Sequence, residues 1–203
     1  MIRRGFLAFA LLLAPLAAHA QTQPLPPPAQ PIAALNQGLL QIMHEGRSTP
    51  FATRAQQLLP LVQQSFNLPL ILQNSVGLRW AAFSPQQKDD LLEAFTRWTV
   101  ATWVSNFDSY DGETFQISPT GRKLGTDDIV QTTIVPREGR PTRLDYVMRN
   151  VGAWKAIDIL VDGISRVATQ RSDFRSSLSS GDPAPLIANL RYKADALAAG
   201  MKT

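Results

Sequence analysis

The run WKAIDILV, Trp154 to Val161, limits what this chain can become more than any other stretch. Read as a regular strand, it places Trp154, Ala156, Asp158 and Leu160 on one face and Lys155, Ile157, Ile159 and Val161 on the other. A strand with one wet face keeps its apolar residues to one side, so this pattern predicts apolar cover on both sides of a sheet. The preceding run, RLDYVMR, repeats the pattern less fully, with Leu144, Tyr146 and Met148 on one side and Val147 on the other. Helices can cover one face. The second face needs either more helices, which would close the core, or an apolar ligand.

The rest of the chain supplies helices on both sides of a strand-rich middle. Ile32, Leu35, Leu39, Leu40 and Met43 predict a helix over 31–45 that stops at Gly46. Thr49 is expected to cap a second helix starting at Pro50, which Pro60 should end or bend. FNLPLILQNSVG reads as a short helical turn. The clearest signal is SPQQKDDLLEAFTRWTVATWVSNFDSY, where Ser84 caps, Pro85 takes the first helical position and Gln87 completes a capping box. The long helix it starts is expected to reach about Asp108, with an aromatic stripe opposite Lys88, Glu93, Arg97 and Ser105. After Gly112 the pattern predicts four or five antiparallel strands, over 114–118, 128–135, 142–149, 154–161 and 164–168, with Asp162-Gly163 as a hairpin turn. Helices over 169–179 and 185–199 follow, the last capped by Asp182. This order indicates an α+β fold in one domain, 31–203.

The first twenty residues have the form of an export signal: Arg3 and Arg4, an apolar stretch from Phe6 to Leu16, and the small-x-small site Ala18-His19-Ala20. RRGFL also fits the core of a twin-arginine signal, and the residues do not choose between the two routes. Cleavage after Ala20 would leave a proline-rich leader over 21–30, read as an extended tether, and would lower the net charge from +4 to about +2. So small and dispersed a surplus is a poor nucleic-acid footprint. The chain has no cysteine, so an exported product would hold together by burial alone.

Catalytic and metal chemistry find little support. Of the two histidines only His44 lies beyond the signal, in an amphipathic helix far from any distinctive serine motif. The carboxylates of TDD and DSYDGE are spaced like solvated loops, and no glycine-rich phosphate loop follows a strand. One enzymatic arrangement survives: Asp158 as a general base with Tyr146 as donor in a cone-shaped pocket, as steroid isomerases use for terpenoid substrates. The alternative is an aspartate held by backbone hydrogen bonds.

FTRWTVATWVSNFDSYDGETFQISP, followed by RPTRLDYVMRNVGAWKAIDILVDGISRVATQRSDF, resembles the MlaC type of periplasmic lipid-binding protein, also called toluene-tolerance proteins. The run from Trp154 to Ser165, with Arg171 and Phe174 beyond it, is its most specific part, and FNLPLILQNSVGLRWAAFSPQQ is similar to the hopanoid-associated HpnM branch. The resemblance implies a curved antiparallel sheet wrapped by helices, with an apolar pocket between them. It also implies a monomeric carrier that needs no cofactor and catalyses no reaction. Such a carrier would take hopanoid or phospholipid between an inner-membrane transporter and an outer-membrane accepting complex. The residues expected to line the pocket are Leu92, Phe95, Trp98, Thr99, Thr102, Trp103, Phe107 and Tyr110 on and after the long helix. From the strands they are Ile134, Leu144, Tyr146, Met148, Ile157, Ile159, Val161 and Ile164. A closed-core interaction module, without a ligand, is the remaining alternative.

Overall fold

A computed structural model describes residues 24–201; the expected export signal and the first part of the expected leader lie outside the described residues. The sheet contains β1 (Thr114–Ile117), β2 (Arg122–Leu124), β3 (Asp127–Val135), β4 (Thr142–Asn150), β5 (Trp154–Val161) and β6 (Ile164–Ser165). All pairings between these strands are antiparallel, in the order β1-β3-β4-β5-β6, and β2 joins the same edge of β3 further along. The sixth strand is therefore the short piece RKL, whose three exposed residues carry no apolar alternation.

Within β5 one extra residue changes the meaning of WKAIDILV. Met148 pairs with Ala156 but Val147 with Asp158, so Ile157 has no opposite residue and forms a β-bulge. The alternation changes phase there. Trp154 and Ala156 before the bulge, and Ile159 and Val161 after it, face the helices together with Leu144, Tyr146 and Met148. The face assignment expected from strict alternation is thus overturned, since Trp154 and Ala156 share a face with Ile159 and Val161. The opposite face is mixed: it carries ion pairs, Arg143 with Asp145 and Arg149 with Asp127, beside the buried Ile129 and Val147. Ile157 itself is buried but stands outside the helix-packed core.

Six helices lie on the apolar side of the sheet, α1 (Gln30–Glu45), α2 (Phe51–Ser65), α3 (Leu68–Val76), α4 (Pro85–Asn106), α5 (Arg166–Ser177) and α6 (Ala184–Ala198), the last packed against α4. The leader joins the fold earlier than expected, because Pro27–Ala29 form a 3₁₀ turn and Ala29 is buried in the core. Gly38 lets α1 lie close on α2; a Cβ there would meet Leu61 Cδ1 at 2.1 Å. Thr49 does not cap α2, whose N-cap is Pro50 without a side-chain bond. Nor does Pro60 end the helix: it sits on the wet side with Gln56, whose freed carbonyl water can satisfy. The short turn expected after Phe66 is the full helix α3, capped by Asn67 Oδ1, which accepts from the Leu70 N–H at 3.2 Å.

The capping box of α4 is formed, with Ser84 Oγ accepting from the Gln87 N–H and Gln87 Oε1 from the Ser84 N–H. On its outer side α6 is tied to α4 by Arg97 with Asp195 and by Arg191 with Glu93. The strand expected over 164–168 is only two residues long. Ser165 Oγ accepts from the Ala168 N–H and starts α5 at Arg166, three residues before the expected Thr169. The β5–β6 hairpin turns through Asp162 and Gly163, both with positive φ, as a tight two-residue turn requires.

Asp127 is almost wholly buried and accepts two hydrogen bonds of 2.7 Å from Arg149. Those bonds, reinforced by the guanidinium charge and opposed by burial, hold its carboxyl below the usual aspartate range. The stabilisation is complete above an unfolded pKa of about 3.9 and is lost as the pH falls through the lower folded value. Asp127→Asn should therefore lower stability at pH 7 by about 1–2 kcal/mol. Urea denaturation should show the gap to the unsubstituted protein narrowing at pH 3 and below; a gap that stays constant would contradict this account.

Candidate functional site

Helical spacing gives α4 one continuous stripe: Phe95, Trp98 and Thr99, Thr102 and Trp103, then Asn106, with Phe107 at its C-cap. This stripe does not pack fully onto the sheet. Between them lies a cavity of about 360 Å³. Its sheet side is Ile134, Thr142, Leu144, Ile159 and Val161; its remaining wall is Phe66, Leu68 and Ile71 from the α2–α3 junction and α3, with Arg166, Val167 and Gln170 from α5. Asn106 and Arg166 are exposed, which places the mouth where the end of α4 faces the start of α5.

Aromatic rings form the lining. Trp103 and Phe107 stack with centroids 5.5 Å apart and planes 17° from parallel, and Phe66 lies 5.9 Å from Trp103. At the other end Phe174 packs edge-on to Phe95 and Trp98. The α3–α5 wall is joined by polar bonds. Ser75 Oγ donates to Gln170 Oε1 at 3.0 Å, and Arg171 donates through Nε and Nη2 to the Asn74 carbonyl, at 2.9 and 2.6 Å.

Asp158 reaches the cavity wall from the bulge, and its carboxylate is occupied. It accepts from Ser165 Oγ at 2.6 Å, from the Ile159 N–H at 2.8 Å and from the Val167 N–H at 3.1 Å, fixing the first turn of α5 against the sheet. Tyr146 is wholly buried, its ring 6.1 Å from Phe66, and its hydroxyl has no partner among the described residues. Burial pushes that hydroxyl's pKa up. Tyr146 does not line the cavity, so the structure does not assemble the base and donor pair that an isomerase would need.

Of the expected lining, Phe95, Trp98, Thr99, Thr102, Trp103, Phe107, Ile134, Leu144, Ile159 and Val161 do line the cavity. Six do not. Tyr146 and Met148 belong to the closed core, and Ile157 is the bulge residue. Leu92 faces a separate groove between α2, α4 and α6. Tyr110 is exposed and packs at a tilt against His44, with centroids 3.9 Å apart, and Ile164 stands 67% exposed at the hairpin tip. The α3 and α5 contributions were not anticipated. Leu68 and Ile71 could be found from their helical spacing, and Gln170 from its place in the expected helix over 169–179; Arg166 and Val167 are hidden by the strand expected through residue 168.

A family model described as "MlaC protein" matches residues 33–192. The chain belongs to the MlaC family. A solved structure of a phospholipid-binding protein from Ralstonia solanacearum, in complex with a phospholipid, is similar with a TM-score of 0.69. The two sequences are 20% identical, and the match covers 85% of this chain and 99% of that one. At that identity the likeness establishes a shared fold: the MlaC-family architecture of an open, curved antiparallel sheet with flanking helices.

Among the described residues, two hydroxyls in this MlaC-family core are buried without partners, Thr99 Oγ1 and Tyr146 OH. Removing each while keeping the shape should be neutral or stabilising, because an unsatisfied buried hydroxyl costs about 1–3 kcal/mol. Thr99→Val is expected to raise stability by about 1 kcal/mol and Tyr146→Phe to do no harm. Trp103→Ala should lose about 3 kcal/mol. Urea midpoints for the three variants check this ordering; a loss above about 1 kcal/mol for either isosteric change would reveal a partner for that hydroxyl.

Proposed function

We propose that this protein is an exported lipid carrier that shuttles one lipid at a time across the periplasm, holding hydrocarbon in the cavity and leaving the head group at the mouth. The observation that carries the proposal is the cavity itself: aromatic and aliphatic on the sheet, α3 and α4, with exposed polar residues at one end. At ~30 Å³ for a group the size of a water or methylene, its 360 Å³ hold roughly a dozen methylenes, close to one tail. At about 0.8 kcal/mol per methylene, burying such a tail contributes on the order of 10 kcal/mol, enough to retain a lipid with no charged anchor. A second tail requires the wall to shift, and α5 with α3 is the pair whose mutual bonds let them move together.

Membership of the MlaC family and the phospholipid bound to the Ralstonia solanacearum relative favour a phospholipid as cargo. The stacked Trp103 and Phe107 offer a flat wall that also suits a rigid polycyclic lipid, so a hopanoid is the second reading. In either case the carrier would load and unload at an inner-membrane transporter and an outer-membrane accepting complex, working as a monomer. No helix among the described residues is long and apolar enough to cross a membrane.

Organic extraction of the purified mature protein, followed by mass spectrometry, should yield lipid in near-stoichiometric amount. A phospholipid supports the first cargo and a hopanoid the second, whereas an empty protein that also refuses added lipid contradicts the carrier. Ile159→Trp, which fills the cavity from the sheet side, should lower the retained lipid by about tenfold or more while the protein stays folded.

A further inference from the structure

The cavity is lined by one cationic side chain, Arg166, and one anionic side chain, Asp158, and the two are not equivalent. Asp158 is spent on three hydrogen bonds, two of which, from Ser165 and Val167, hold β5 to the first turn of α5. Arg166, the first residue of that helix, is exposed and makes no ion pair or side-chain hydrogen bond among the described residues. The nearby hairpin acid, Asp162, accepts the Arg143 backbone N–H at 3.1 Å. Across the mouth stand Asn106 and Thr142, both neutral. The backbone N–H groups of Val167 and Ala168 are already bonded to Asp158 and Ser165, so the attraction available at this lip belongs to the guanidinium rather than to the helix end.

We infer that Arg166 receives the phosphate of the bound lipid's head group, making the carrier selective for anionic phospholipids over neutral lipids with the same tails. The inference rests on the lipid-carrier reading and adds to it a determinant of head-group preference. A guanidinium presents a planar fork of N–H donors that matches two phosphate oxygens at once. Because Arg166 is exposed, the interaction discriminates between head groups rather than supplying the bulk of the affinity, which comes from the tails.

The test compares pyrene-labelled phosphatidylglycerol with pyrene-labelled diacylglycerol of the same tails, each delivered from a cyclodextrin to the lipid-free full-length mature protein. The unsubstituted protein should prefer phosphatidylglycerol. Arg166→Glu should cut the ratio of the two affinities about tenfold, and Arg166→Lys should recover part of it. Glutamate at the first turn suits the helix dipole, so the fold is expected to survive; matched circular dichroism and melting curves check this. An equal loss for both lipids, or an unchanged ratio, would overturn the inference. Saturable binding of inorganic phosphate to lipid-free protein that depends on Arg166 would also overturn it, by assigning the site to a free anion. Failure of both lipids to bind the unsubstituted protein would instead count against the carrier reading itself.

Discussion

One unpaired residue in β5 sets the geometry on which the rest depends. Without the bulge at Ile157, Trp154 and Ala156 would point away from Ile159 and Val161, and one strand could not serve both the closed core and the cavity. With it, the strand divides the labour along its length. Its first half takes the junction of α2 and α3, where the Asn67 N–H donates to the Ala156 carbonyl at 2.9 Å and Phe66 bridges to Ala156. Its second half forms cavity wall. The other face of the sheet is then free to carry charge beside Ile129 and Val147, with the guanidinium groups of Arg143 and Arg149 meeting Asp145 and Asp127.

What the sequence makes legible follows from how local each signal is. The α4 stripe could be read residue by residue because its capping box, proline and aromatic spacing all lie within one helix. Ile159 and Val161, after the bulge, line the cavity, whereas Trp154 and Ala156 share their face, against what strict alternation predicts. A period-two pattern carries no mark of a skipped pairing, and no glycine or proline flags residue 157. In ISRVA, isoleucine and valine favour a strand, but the Ser165 cap and its contact with Asp158 decide for helix. Pro60 shows the opposite case, a strong local breaker overridden where water can take the freed carbonyl.

The cavity has two kinds of wall. α4 is fixed from outside by α6, through two ion pairs and the small buried contacts of Ala101, Ala194 and Leu197, and from inside by its own aromatics. The α3–α5 side is bound within itself by Ser75, Gln170, Arg171 and the Asn74 carbonyl, and reaches the sheet through the carboxylate of Asp158. Buried polar atoms on Asn36, Thr99 and Tyr146 have no partner among the described residues, and each such atom costs stability. Tight closure around every polar atom and a space kept open for cargo are competing demands on the same helices.

The placement of the four tryptophans gives the molecule its own optical reporter. Trp98 and Trp103 line the cavity, while Trp80 sits beneath the Lys88 ammonium and Trp154 lies by the proline turn at the start of the domain. Anything that fills the cavity exchanges solvent for contact at two indoles and leaves the other two as an internal reference. Occupancy can therefore be followed as a change in emission colour and in quenching by aqueous iodide, without a label and without disturbing the mouth.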